Sequence, residues 1–164
     1  MPFRAPWLRS AVFGEALLLA GGCGAPFGAG CTAVGAVDGV SITVAADSVR
    51  GVAALELEVC REGRCTEAEV ALSAGTVSVD QGCDASGICA ASASPDNTLV
   101  GFAPLDLPAG EVEIRAAVTG QDGKTRELGP VRATAEVVRP NGPQCPGQAH
   151  QLALTLDSEG LSPR

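Results

Sequence analysis

Tyrosine is absent from this 164-residue chain, and aromatic residues of all kinds make up 3% of it. Four Phe and one Trp argue against a large aromatic-filled pocket or a sugar-stacking platform. Histidine is scarce too: His150, in Pro146-Gly-Gln-Ala-His150, is the only one. A serine or cysteine nucleophile works with a positioned base, and no Gly-x-Ser-x-Gly precedes any serine here. His150 is therefore expected on a surface loop just before the final strand. Basic residues are outnumbered 11 to 19, Lys124 is the only lysine, and the formal charge is −8. Such an acidic chain is repelled by phosphate backbones and anionic lipid surfaces, which excludes nucleic acid as a partner and polybasic membrane attachment. Phosphate-cradling loops are also missing, because the glycine-rich run 21–30 does not follow a strand pattern.

What the sequence does have begins at its N-terminus. Arg4 and Arg9 precede a short apolar stretch, Ala11 to Ala20, and Gly21-Gly22 supplies small residues before Cys23. This is the layout of a cleaved helical signal peptide over residues 1–22. The stretch is far below the ~20 residues that span a bilayer. Leu19-Ala20-Gly21-Gly22-Cys23 resembles a bacterial lipobox, in which the cysteine is diacylated and becomes the new N-terminus. It departs from that pattern at Ala20, where Leu is usual, and Glu15 places a charge inside the apolar stretch. The resemblance implies lipidation at Cys23 and a membrane partner through that lipid; plain secretion is the alternative. Residues 24–30 then read as a flexible tether. Loss of Arg4, Arg9 and Glu15 with the leader leaves 9 basic and 18 acidic residues, a charge of −9.

Seven cysteines fit the same picture. With Cys23 carrying lipid, Cys31, Cys60, Cys65, Cys83, Cys89 and Cys145 remain, an even number in a chain that meets an oxidising compartment. Six cysteines allow 15 connectivities. Geometry argues for one pair. Leu55-Glu-Leu-Glu-Val-Cys60 and Cys65-Thr-Glu-Ala-Glu-Val70 both alternate, with the four residues Arg61–Arg64 between them as a hairpin loop. Setting Cys60 opposite Cys65 brings Leu57 to Ala68 and Leu55 to Val70 on one face, and both sulfurs to the other. Cys83 and Cys89 flank a local loop, and elimination would then leave Cys31 with Cys145; the sequence does not choose among the remaining connectivities. The C-x4-C and C-x5-C spacings lack the second pair or histidines of a zinc site, so no metal is expected, and no cofactor.

Alternation recurs along the rest of the chain. Val40, Ile42 and Val44 mark a first strand, Val77 and Val79 a short fourth, and Thr98 to Phe102 a fifth. Glu111 to Thr119 puts Val112, Ile114, Ala116 and Val118 inward, with Glu111, Glu113 and Arg115 outward. Lys124 to Val138 reads as one strand interrupted at Gly129-Pro130, which implies an edge or a bulge. Leu152, Leu154 and Leu156 form the last. No 3.6-residue period is sustained outside the leader. The expectation is an all-β domain over 31–164: an antiparallel, immunoglobulin-like or Greek-key β-sandwich of seven to eight short strands, stapled by disulfides. A small barrel is the alternative.

The hairpin register also stacks carboxylates. Glu58 falls opposite Glu67 and Glu56 opposite Glu69, and like charges directly across a pair destabilise it. One reading is an acidic binding patch for a basic partner or Ca²⁺. The other is a solvated face relieved by Arg61, Arg64 and salt; four Glu without an Asp/Asn/Gly loop do not make a tight Ca²⁺ cage. Asp80, Asp84, Asp96 and Asn97 are explained by turn chemistry.

Cys31-Thr-Ala-Val-Gly35 with Val37-Asp-Gly-Val-Ser41 behind it resembles small actinobacterial lipoproteins of unknown function. So do Val59-Cys-Arg-Glu-Gly-Arg-Cys65, Pro140-Asn-Gly-Pro-Gln-Cys145 and Gln151-Leu-Ala-Leu-Thr155. The resemblance implies an envelope-attached immunoglobulin-like domain and no activity. The function expected is a non-catalytic binding module on the outer face of the cell membrane, with an envelope or extracellular protein or glycan as partner. A freely secreted inhibitor or accessory protein is the alternative, and an enzyme the third reading. The loops around 81–97 and the acidic hairpin are the first places to look for contact.

Overall fold

The computed structural model describes residues 31–164; the signal peptide expected over 1–22, the lipidation site Cys23 and the tether 24–30 lie outside the described residues. Apolar residues at every second position favour strands with one dry face, and strands make up most of the described chain. Ten strands form: β1 Gly39–Val44, β2 Ala54–Arg61, β3 Arg64–Glu69, β4 Ala71–Cys83, β5 Cys89–Pro104, β6 Glu111–Thr119, β7 Thr125–Thr134, β8 Glu136–Val138, β9 Ala149–Asp157 and β10 Gly160–Pro163. No α-helix occurs among the described residues, and the only helical piece is a 3-10 turn at Val49–Gly51.

The strands make two sheets. One runs β10-β9-β1-β5-β4, with β8 also paired to β9; the other runs β3-β2-β6-β7. The inward rows are those that alternation marks. Val40, Ile42 and Val44 of β1 and Leu152, Leu154 and Leu156 of β9 meet Leu55, Leu57 and Val59 of β2 and Val112, Ile114, Ala116 and Val118 of β6, all buried in one cluster. Burying a Leu or Ile side chain fully contributes roughly 1.5–3 kcal/mol. No charged or polar residue is buried among those described, so every ionisable group there stays at least partly exposed to solvent.

Three features differ from the sequence expectation. The sandwich is not wholly antiparallel: β1 pairs parallel with β9, Val40 beside Leu152 and Val44 beside Leu156. Alternation places residues on faces and carries no information on strand direction. The stretch 124–138 is two strands rather than one, β7 on the edge of the second sheet and β8 in the first. The chain crosses between them at Ala135, which is buried. Third, there are ten strands instead of seven or eight, and two are long. The β4 and β5 strands span 13 and 16 residues and pair from Ala71↔Phe102 out to Cys83↔Cys89. The loops expected around 81–97 are therefore mostly the far half of one hairpin.

Three disulfides close the domain. Cys31 joins Cys145 across 114 residues, Cys60 joins Cys65, and Cys83 joins Cys89. The first ties the segment entering β1 to the turn preceding β9.

Candidate functional site

The β2–β3 hairpin shows how the local sequence builds one outer face. Arg61 pairs with Arg64, so the connection is the two-residue turn Glu62-Gly63 rather than a four-residue loop. Both residues have positive φ, 51° and 78°, the requirement of a tight turn whose twist matches its strands. The register then sets Cys60 against Cys65, Glu58 against Glu67 and Glu56 against Glu69.

Strand order carries these pairs into longer rows. Glu69, Glu56, Ala117 and Glu127 form one row across the second sheet; Glu67, Glu58 and Arg115 form the next; Cys65, Cys60, Glu113 and Arg132 form the third. Six carboxylates and two guanidiniums on these rows give −4. Arg115 is the residue that makes the stacking tolerable. Its Nη1 donates to Glu58 Oε2 at 3.0 Å and its Nη2 to Glu113 Oε1. The hydrogen bond to Glu58 and the nearby charge of Glu113 hold the guanidinium pKa above its ordinary value. Relief was expected from Arg61 and Arg64, but Arg61 instead donates to the Ala109 carbonyl and pairs with Glu62. Arg115 stands in the outward row that alternation defines on β6; knowing that β6 lies beside β2 is what links it to the hairpin.

A candidate metal cluster also lies here, since Glu58, Cys60 and Cys65 bring donor atoms within 4.8 Å of one another. Both sulfurs are bonded to each other, so neither is a thiolate, the form that ligates metals.

The opposite outer face has another character. Across the first sheet, one row reads Ser162, Thr155, Thr43, Val100, Ser73 and a second reads Ala153, Ser41, Phe102, Ala71. Neither row holds a charge. Val100 and Phe102 are 38% and 37% exposed. Gly39 lets the Phe102 ring lie down, because a Cβ there would come within 2.5 Å of the ring. The exposed large apolar residues Val34, Val37, Val77, Val79, Ile88, Val100, Phe102 and Val137 all lie on this sheet, the turn of its long hairpin or the segment leading into it, and none on the acidic one.

The same sheet carries the most unusual element. Beyond Gly75, β4 and β5 leave the sandwich as a two-stranded arm. From Thr76 to Cys83 and from Cys89 to Ala93 every residue is exposed, on both faces. An isolated ribbon of two strands is marginal in water, and this one is held at both ends. At its root Asp96 Oδ1 accepts from the Thr98 amide and hydroxyl, packed so close to Gly75 that any side chain there would collide. At its tip the Cys83–Cys89 bond closes a turn in which Asp84 Oδ1 accepts from the Ser86 and Ile88 amides and the Ser86 hydroxyl. Those bonds hold both carboxyls below their ordinary pKa. Asp80 accepts from the Gly82 amide. The loop carboxylates thus serve as turn-formers. Asn97 takes positive φ at the root.

His150 is not on a loop. It lies in β9, half-buried, with its amide donating to Asp38 Oδ1 at 2.6 Å and its Nδ1 4.0 Å from that oxygen. Compared with protein-family models, with curated proteins and with solved structures, the chain matches none.

Proposed function

We propose that this chain is an exported, lipid-anchored, non-catalytic binding module of the cell envelope, and that the β4–β5 arm is its contact element. The arm carries the reading. It keeps 13 residues in strand with both faces in solvent (76–83 and 89–93), which contributes nothing to the core and needs a staple at its tip. In a domain this small, ordered structure without burial points to a contact made outside the chain. Three disulfides support an oxidising, extracytoplasmic compartment. The Leu19–Cys23 motif supports the anchor. We also read the two sheets as immunoglobulin-like in the broad sense; support comes from hairpins β2–β3, β4–β5 and β6–β7 falling alternately in the two sheets.

The partner proposed is a protein that adds an extended strand to the outer edge of β4. That edge is the last in its sheet, so its outward amides and carbonyls lack a strand partner, the setting for strand addition. Between Ala71 and Cys83 only Asp80 is charged, which spares the partner the repulsion it would meet on the acidic sheet. A glycan is less favoured, because Phe102 is the one exposed aromatic ring among the described residues. Secretion without an anchor is the second reading, favoured by Ala20 and Glu15.

The test is site-specific photo-cross-linking on intact cells with a probe replacing Val79, and with a control probe replacing Glu69. The reading expects a protein adduct from position 79 that is lost when residues 77–93 are replaced by a two-residue turn. Adducts from the control site alone, or adducts to glycan, would contradict it. A self-adduct would make the partner a second copy of this chain.

A further inference from the structure

We propose that the Cys60–Cys65 pair is a thiol–disulfide exchange site that opens at Cys65 toward small thiols. The site is independent of the arm and lies on the other sheet.

The two sulfurs stand in unlike surroundings. Cys65, on edge strand β3, is exposed, whereas Cys60, on the interior strand β2, is half-covered. Arg115 Nη1 lies 4.0 Å from Cys60 Sγ, a long hydrogen bond from the same nitrogen that holds Glu58. Exchange rates depend on access to the attacked sulfur and on how well the leaving sulfur bears negative charge. Both factors point the same way: attack at Cys65, departure at Cys60. The Cys31–Cys145 bridge also joins an exposed cysteine to a buried one, so what distinguishes Cys60–Cys65 is the guanidinium at its covered sulfur. The turn closed by Cys83 and Cys89 carries Asp84 and no basic residue.

The step balances without another reagent. A thiolate R–S⁻ attacks Cys65 Sγ, forming R–S–S–Cys65 as the Cys60–Cys65 bond breaks, and the electron pair departs on Cys60 Sγ as a thiolate beneath Arg115. Return attack by Cys60 on Cys65 expels R–S⁻ and restores the hairpin. A second thiol instead takes R off Cys65 as R–S–S–R and leaves two reduced cysteines. Glu58, Glu67 and Glu113 flank the pair in its own and the adjoining row, so a thiol bearing an ammonium group is favoured over an anionic one.

The experiment exposes the folded protein to cysteamine, traps free thiols with N-ethylmaleimide and locates both adducts by tandem mass spectrometry. The expected product carries cysteamine on Cys65 and maleimide on Cys60. Arg115→Gln should slow this opening several-fold and Arg115→Lys should recover part of it, while the Cys83–Cys89 pair reacts as in the native chain. Cysteamine found on Cys60, or shared equally between the two, overturns the proposal. So does an opening rate indifferent to Arg115. The position of the adduct on the native chain decides the direction of attack even if the variants do not fold.

Discussion

Arg115 of β6 stands directly across from Glu58 of β2, its guanidinium 3.0 Å from the carboxylate, and reaches Glu113 on its own strand with the other nitrogen. Arg115 and Arg132 thus share this face of the second sheet with six carboxylates, and Arg115 bridges two of them. Arg115→Gln should lower the melting temperature at low salt, and adding Glu67→Gln should restore it by removing the charge opposite Glu58. The difference should shrink at high salt, since these exposed charges are screened. Thermal melts at two ionic strengths check this; an unchanged low-salt melt for Arg115→Gln would count against it. Glu67→Gln alone should leave stability unchanged or higher.

The core and the arm should respond differently to truncation. Leu57 has no exposed surface and packs between the sheets, so Leu57→Ala should cost about 2–5 kcal/mol in denaturant unfolding. Val77 is 50% exposed on the arm, and Val77→Ala should stay within about 0.5 kcal/mol. Equal losses at the two positions would mean that the arm is packed in solution.

The bridges should differ by the length of chain that they close. Chain-entropy reasoning gives roughly 5 kcal/mol for Cys31–Cys145 and roughly 2 kcal/mol for Cys83–Cys89. Paired Ser substitutions with urea unfolding measure both. A larger loss from the tip bridge would contradict the assignment of Cys31–Cys145 as the long-range tie. Free-thiol counting on unreduced, unfolded protein should find at most one reactive thiol.

Acid should loosen the arm tip. Asp84 has a folded-state pKa below its ordinary value, chiefly through the Ser86 hydroxyl and the Ile88 amide. A depressed carboxylate adds stability that is present above its unfolded pKa and is lost as pH falls through the folded one. Protection of the Ser86 and Ile88 amides, measured against the intrinsic exchange rate at each pH, should therefore fall below about pH 4. Asp84→Asn should remove that dependence; the same acid response in the variant would contradict the assignment.

Burial explains how much of this was legible in the sequence. The β1, β2, β6 and β9 strands each have one face buried in the core, so alternation marks them. The β3 strand is exposed except at half-buried Ala68, and aligning Ala68 and Val70 with the dry row of β2 places Cys60 opposite Cys65. The outer half of the β4–β5 hairpin has two wet faces. Apart from Val77 and Val79, small and polar residues fill it with no inside to alternate against, so it reads as a short strand and loops. The β8 and β10 strands, three and four residues long, offer too few positions for a period. The role of Arg115 depends on β6 lying beside β2, and the parallel β1–β9 pair depends on which sheet each returning strand joins. Both are settled by long-range packing.

Export and anchoring through Cys23 are the central claim, so the most direct test is intact-mass and tandem mass spectrometry of the protein recovered from cell envelopes. The expected result is a chain that begins at Cys23 with a diacylglyceryl group on its sulfur. A chain retaining residues 1–22, one cleaved elsewhere, or one with Cys23 bearing no lipid would contradict it.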